Sequence, residues 1–186
     1  MFYSAVKAIF KTYLDLTLKP EVVGAEHIPQ QGPAIVCANH LHWLDPVLIA
    51  CYIPRQVHFM AKRELFQIPV FAQVLRALGA FPVNRGKADR SAIRTALAML
   101  AEGKVLGIFP EGTRSSTGEL GEFFDGTALL AFKSGAPVVP AAITGSYSER
   151  QICLRFGMPL RAKELGITEV KEMTLLIRQQ VEGLTK

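Results

Sequence analysis

Residues 34–53 read Ala34-Ile-Val-Cys-Ala-Asn-His-Leu-His-Trp-Leu-Asp-Pro-Val-Leu-Ile-Ala-Cys-Tyr-Ile53. The first five are apolar throughout, which suits a strand buried on both faces. Pro46 opens a second apolar run that reads as a helix. Between strand and helix lies a short link with one histidine, His40, and one aspartate, Asp45. Moving outward, the same alternation repeats. Strands are predicted at 57–61, 80–83, 105–109, 138–143 and 152–156. Helices are predicted over 46–53, 70–78, 89–102, 126–134 and 168–183. Strands alternating with helices predict an α/β fold: a single domain with a mostly parallel central sheet flanked by helices. Pro140 lacks a ladder donor, so the strand that contains it is expected at an edge or at a bulge. Residues 115–125 are polar and glycine-rich and read as a loop.

Composition narrows the class. The chain has 186 residues, 49% of them hydrophobic, enough for one domain with a sizeable core. Three cysteines fall in apolar runs and do not suggest a disulfide framework, so a reducing compartment is expected. No run reaches the ~20 apolar residues of a membrane span. The net charge of +5 would permit nucleic acid. No basic run is interleaved with aromatics, however, and no nucleic-acid module is visible, so no nucleic-acid partner is expected. A phosphate-bearing small molecule and an anionic membrane surface account for the charge more simply.

Residues 1–20 lack the features of a signal peptide. Phe2, Tyr3, Val6, Ile9, Phe10, Tyr13, Leu14 and Leu16 recur at helical spacing, with Ser4, Lys7, Lys11 and Asp15 on a narrow opposite stripe. This is an amphipathic helix, to be docked on the core, laid in a membrane interface with its lysines toward anionic lipid, or both. We expect a membrane-interface helix over 1–20 and the catalytic domain over 21–186. The expected location is the cytoplasmic face of the membrane, peripheral or monotopic.

The link itself carries the chemistry. Residues five apart on an ideal helix point about 140° away from each other. His40 and Asp45 can therefore meet only if the link turns back and Asp45 sits at the helix start. Asp-Pro is a good Ncap–N1 pair. One carboxylate oxygen is then expected to cap the first turn and the other to accept Nδ1–H of His40, which leaves Nε2 as a base. With no obvious Ser or Cys nucleophile nearby, the proton that His40 takes belongs to a substrate hydroxyl. His40-x-His42 with Asp45 also approaches metallohydrolase spacing. Leu44 and Pro46 stand where further ligands should be, so no metal and no cofactor is expected. His42 is then a site wall or an exposed residue.

Further segments complete a pattern: Gly79-Ala-Phe-Pro-Val-Asn-Arg85, Phe109-Pro-Glu-Gly-Thr-Arg-Ser115 and Val138-Val-Pro140. Together with Asn39-His40 through Asp45-Pro46, in this order, they resemble the glycerolipid acyltransferase superfamily, most closely the 1-acyl-glycerol-3-phosphate (lysophosphatidate) acyltransferases. The resemblance spans about residues 22–145. It implies transfer of a fatty acyl group from acyl-CoA or acyl-carrier protein to the free hydroxyl of a lysophospholipid. It implies that Arg85 with Glu111, Gly112 and Arg114 holds the glycerophosphate. The residue types agree. Two arginines can grip phosphate in two-pronged hydrogen bonds, Gly112 lets backbone approach the ligand, and Thr113 offers a hydroxyl. Glu111 is expected to orient an arginine or to accept from a glycerol hydroxyl. Lys62 is as consistent with added phosphate charge as with a solvated helix start. Backbone N–H groups near Asp45–Val47 are candidates for the oxyanion, and helix 70–78 with strand 138–142 for the acyl-chain wall. Glycerol 3-phosphate as acceptor and a non-catalytic lipid-binding protein are the alternatives.

Overall fold

The computed structural model describes residues 2–84 and 89–186. Helix α1 (Phe2–Thr17) leads into β1 (Glu21–Val23), then β2 (Ala34–Ala38), α2 (Asp45–Tyr52), β3 (Val57–Lys62), α3 (Pro69–Ala77) and β4 (Phe81–Val83). Next come α4 (Arg90–Ala101), β5 (Val105–Ile108), α5 (Gly126–Ser134), β6 (Val138–Ser146), β7 (Gln151–Phe156) and α6 (Val170–Leu184). Short 3₁₀ turns occupy Ala25–His27 and Arg63–Gln67. The strands form one seven-stranded sheet in the order β1-β7-β6-β2-β5-β3-β4. All neighbours pair in parallel except β6 and β7.

Strand alternation divides the interior into two layers. Val36 and Ala38 of β2 point with Leu48 and Ile49 of α2 and Leu14 of α1 into one core. Ile35 and Cys37 point the other way, against Ala96 and Leu100 of α4, Leu130 of α5 and Met173 and Ile177 of α6. Helix α4 starts as expected: Asp89 accepts from the backbone N–H groups of Ser91 and Ala92, both at 3.0 Å.

Two expectations change here. Pro140 lies on β6, an interior strand, opposite Cys37 of β2. Its carbonyl accepts from Gly157 N at 2.8 Å, on the side where β7 has already stopped. The missing N–H faces that same side, in the break between the last ladder pair, Ala141 with Phe156, and the isolated pairing of Val138 with Leu160. The second change concerns α1, which has two apolar faces. Tyr3, Leu14 and the following Leu18 dock on the core, while Phe2, Ile9, Tyr13 and Leu16 stay exposed. The polar stripe belongs to the docked edge. Lys7 Nζ donates to the Ile53 carbonyl, and Lys11 pairs with Asp15 at 2.7 Å. Lys7 is thus engaged by the protein, while Lys11, which also lies over the Tyr52 ring, stays partly exposed.

Candidate active site

The open end of the sheet, beyond the C-terminal ends of β2 and β5, gathers the predicted residues, as open α/β sheets do. The chain leaves β2 at Asn39, whose side chain replaces a strand partner. Its Nδ2 donates to the Ile143 carbonyl at 2.9 Å and its Oδ1 accepts from Ile143 N at 2.8 Å. That clamp lets the backbone depart from the sheet without leaving β6 unpaired.

His40 follows and Asp45 meets it. Nδ1–H of His40 donates to Asp45 Oδ2 at 2.8 Å, with Asp45 fully buried and His40 nearly so. Asp45 is the first residue of α2, and Leu44 takes the cap position. The carboxylate therefore does not cap the helix. It reaches back over the link, where Oδ2 also accepts from Leu41 N at 2.6 Å and His42 N at 2.7 Å. From its place in the helix it gathers donors that the tight turn would otherwise leave unsatisfied. Because the carboxylate accepts at Nδ1, the ring turns Nε2 outward as its free lone pair. Nε2 takes no hydrogen bond from any described residue. The imidazole lies flat on Phe109, ring centroids 4.1 Å apart. Phe109 is in turn stacked near Phe59, whose ring crosses β5 at Gly107, where a Cβ would come within 2.1 Å of the ring.

Tyr147, just past the end of β6, was not anticipated. Its hydroxyl donates to Asp45 Oδ1 at 2.7 Å, and its ring stacks on His42 at 4.3 Å. Burial, then the neighbouring Asp45 charge, pushes the Tyr147 pKa up, so the hydroxyl stays a donor. No local pattern marks it, because its partner is 102 residues away.

Glu111 holds backbone from two segments. Its Oε1 accepts from His40 N at 3.0 Å and its Oε2 from Gly121 N at 3.2 Å. Neither hydrogen bond is to an arginine. The carboxylate is buried, and two charge-assisted bonds to backbone amides offset its desolvation. Ser115 N donates to the His40 carbonyl at 2.8 Å, so both peptide groups flanking His40 are held from the 109–115 segment. Gly112 sits at φ +69°, a left-handed turn that a side chain would strain.

The other predicted residues that the structure describes lie at the same end of the sheet. Thr113 and Arg114 are exposed on the same turn. Lys62 is exposed at the end of β3, 3.4 Å from Glu64. Arg85 lies outside the described residues. His42 Nδ1 accepts from Leu44 N at 3.3 Å, and among the described residues no three His, Cys, Asp or Glu side chains converge as metal ligands. The backbone N–H of Asp45 donates to the His42 carbonyl at 3.1 Å, which removes it from the oxyanion candidates. Strand 138–142 runs level with β2 up to its end, Ala141 opposite Ala38, but presents no open wall: Val138, Val139, Ala141 and Ala142 are fully buried in the two cores. The end of β6 contributes Tyr147 instead. Helix α3 turns Val70, Phe71 and Val74 outward.

Comparison with known proteins settles the family. The sequence model of the family described as Acyltransferase matches residues 19–144. The chain belongs to that acyltransferase family. The acyltransferase is 33% identical over 185 residues to the 1-acyl-sn-glycerol-3-phosphate acyltransferase of Bacillus subtilis, spanning 94% of this chain and 92% of that one. It is 31% identical over 183 residues to the enzyme of the same name from Streptococcus pneumoniae, spanning 93% and 66%. The crystal structure of the 1-acyl-sn-glycerophosphate acyltransferase PlsC from Thermotoga maritima superposes with a TM-score of 0.79 at 28% identity, over 98% of this acyltransferase and 79% of that chain.

Proposed function

We propose that this acyltransferase moves a fatty acyl group from an acyl-CoA or acyl-carrier-protein thioester to the free hydroxyl of 1-acylglycerol 3-phosphate, giving phosphatidate. The observation that carries the reading is the buried His40–Asp45 pair with Nε2 left open, in a chain whose relatives bear that activity in their names. Asp45, held by four donors, fixes the ring and the tautomer. His40 Nε2 takes the hydroxyl proton as the oxygen attacks the thioester carbonyl, and Asp45 stabilises the imidazolium that forms. The tetrahedral intermediate collapses, the C–S bond breaks and the thiolate departs with the acyl group now in ester linkage. Thiolate is a good leaving group and needs little acid assistance.

Arg85, Arg114 and the Glu111–Thr113 turn are the proposed glycerophosphate site, with Lys62 as a further cation at its rim. Gly112 and Thr113 offer backbone and hydroxyl there, and Arg114 on the same turn is exposed and available to phosphate. Glu111 supports the site by holding backbone, as its two amide bonds indicate. The exposed stripe of α1 is proposed to lie in the cytoplasmic membrane interface, where a long-chain acceptor resides. Among the described residues no helix is long and apolar enough to cross a membrane.

The test is an acyl-transfer assay that crosses acyl-CoA and acyl-carrier-protein donors with lysophosphatidate and glycerol 3-phosphate. We expect turnover with lysophosphatidate, and a fall of roughly 10²–10⁴-fold in the His40→Ala variant. Near-normal turnover in that variant would remove His40 from the chemistry. Vesicle binding without any transfer would leave a lipid-binding protein.

A further inference from the structure

Surface helices of soluble domains normally turn their apolar side inward. The stretch from the 3₁₀ turn into α3 does the reverse. Leu65, Ile68, Val70, Phe71 and Val74 are all exposed, Val70 at 75% and Ile68 at 56%. Within α3, Val70, Phe71 and Val74 share one side, and small Ala72 is the residue turned inward. An apolar run of this kind on a surface marks a place of contact.

The topology says what lies beside it. The connections β2–α2–β3 and β3–α3–β4 both step outward along the sheet in the same direction, over parallel strands. Right-handed crossovers then put α2 and α3 on one face. Helix α1 packs on α2 on that face and exposes its own row, Phe2, Ile9, Tyr13 and Leu16. Two apolar rows from separate elements thus share one side of the molecule. Basic groups flank the α3 row: Lys62 and Arg63 before it, both half-exposed although 3.4 Å from Glu64 and 3.8 Å from Asp89 respectively, and Arg76 after. Arg76 lies over the Phe66 ring, 5.7 Å from its centroid, at the border of the row.

We propose that residues 65–74 form a second lipid-contact surface, which seats on an anionic bilayer together with the exposed row of α1. This rests on the reading that the acceptor is a membrane lipid. A bilayer matches the surface in both respects: apolar rows enter the headgroup–acyl boundary and flanking cations meet anionic headgroups. A single helix could only tether the domain. Two rows on one face fix its tilt, and hence the direction in which the open end of the sheet addresses the membrane.

The full chain is sedimented with vesicles of phosphatidylcholine alone and of equal parts phosphatidylcholine and phosphatidylglycerol. Turnover is measured separately on a water-soluble, short-chain lysophosphatidate. Ile68→Glu/Val70→Glu should weaken binding to the mixed vesicles by at least about tenfold and leave short-chain turnover unchanged. Ile68→Ser/Val70→Ser provides the same comparison if the glutamates impair folding. Ile9→Glu/Leu16→Glu tests the α1 row independently. Wild-type vesicle binding by the 68/70 variants overturns the proposal, whatever the α1 variant does. A drop in oligomer size with vesicle binding unchanged overturns it in favour of a second copy of the chain. Loss of turnover with the carrier-protein donor alone, with vesicle binding unchanged, overturns it in favour of a carrier-protein surface. A wild-type protein that binds neither vesicle also overturns it, while the short-chain assay still tests the reaction.

Discussion

Asp45 holds three groups of its own link and one from outside it, and the outside group is the informative one. Tyr147 Oη reaches Oδ1, the oxygen that His40 does not use. Without it the carboxylate would be fixed from one side only. Tyr147→Phe keeps the ring against His42 and removes the donor. We expect kcat to fall roughly tenfold or more, matching the about 1.5–3 kcal/mol that a hydrogen bond to a charged group contributes. KM for lysophosphatidate should not move, and the downfield proton resonance of His40 Nδ1–H should shift. An unchanged resonance with unchanged kcat would make Tyr147 mere packing. His40 and Asp45 were legible in the sequence because they sit five residues apart and the turn that joins them is written in the same few letters. Tyr147 and the Asn39 clamp were not, because each meets a partner more than a hundred residues away that no periodicity or motif announces.

At the scale of elements, local signals read well and global placement did not. Asp89 before an amphipathic run gave the start of α4, and Pro46 gave α2 to within a residue. The sequence left β6 between an edge and a bulge, since a proline shows only that a donor is missing and not which way the donor would have pointed; the edge is excluded by its interior place. Glu111 carries a role that no local signal announces. Beside an anion site a carboxylate suggests an arginine partner or a substrate hydroxyl; the fold also uses it to join two segments, the link after β2 and the loop 115–125. Glu111→Gln presents an NH₂ group to one of those two amides. The result should be a loss of roughly 1–3 kcal/mol of stability, the cost of a buried donor left unsatisfied. It should also bring a fall in kcat without a rise in KM for the acceptor. A variant with intact stability and a raised KM alone would place Glu111 in phosphate binding instead.

For the whole molecule, a mostly parallel sheet between two helical layers follows from the alternation of strands and helices, which is why the fold class could be read before any contact was known, while the strand order could not. Stability as a function of pH is a property at this scale, and one buried group biases it. His58 on β3 is buried, with Nδ1–H donating to the Gly79 carbonyl at 3.0 Å. Burial lowers its pKa, so the folded chain holds it neutral. The unfolded chain binds a proton more readily. The stability that His58 contributes is therefore present above its ordinary pKa of about 6.5 and is lost as pH falls through the lower folded value. Thermal melts between about pH 7.5 and 5.5 should show Tm falling with pH, and His58→Asn should flatten that slope. An equal slope in both proteins would assign the dependence to other groups.

The peptide on either side of His40 is gripped from the 109–115 segment, its N–H by Glu111 and its carbonyl by Ser115. Those residues thus belong to the histidine as much as Asp45 does, although they arrive some seventy positions later. The proposed reactive centre is consequently not a portable cassette. Grafting residues 39–45 onto another parallel sheet would carry the histidine and its carboxylate but not the frame that aims them. In a drifting lineage the two segments should change together or not at all.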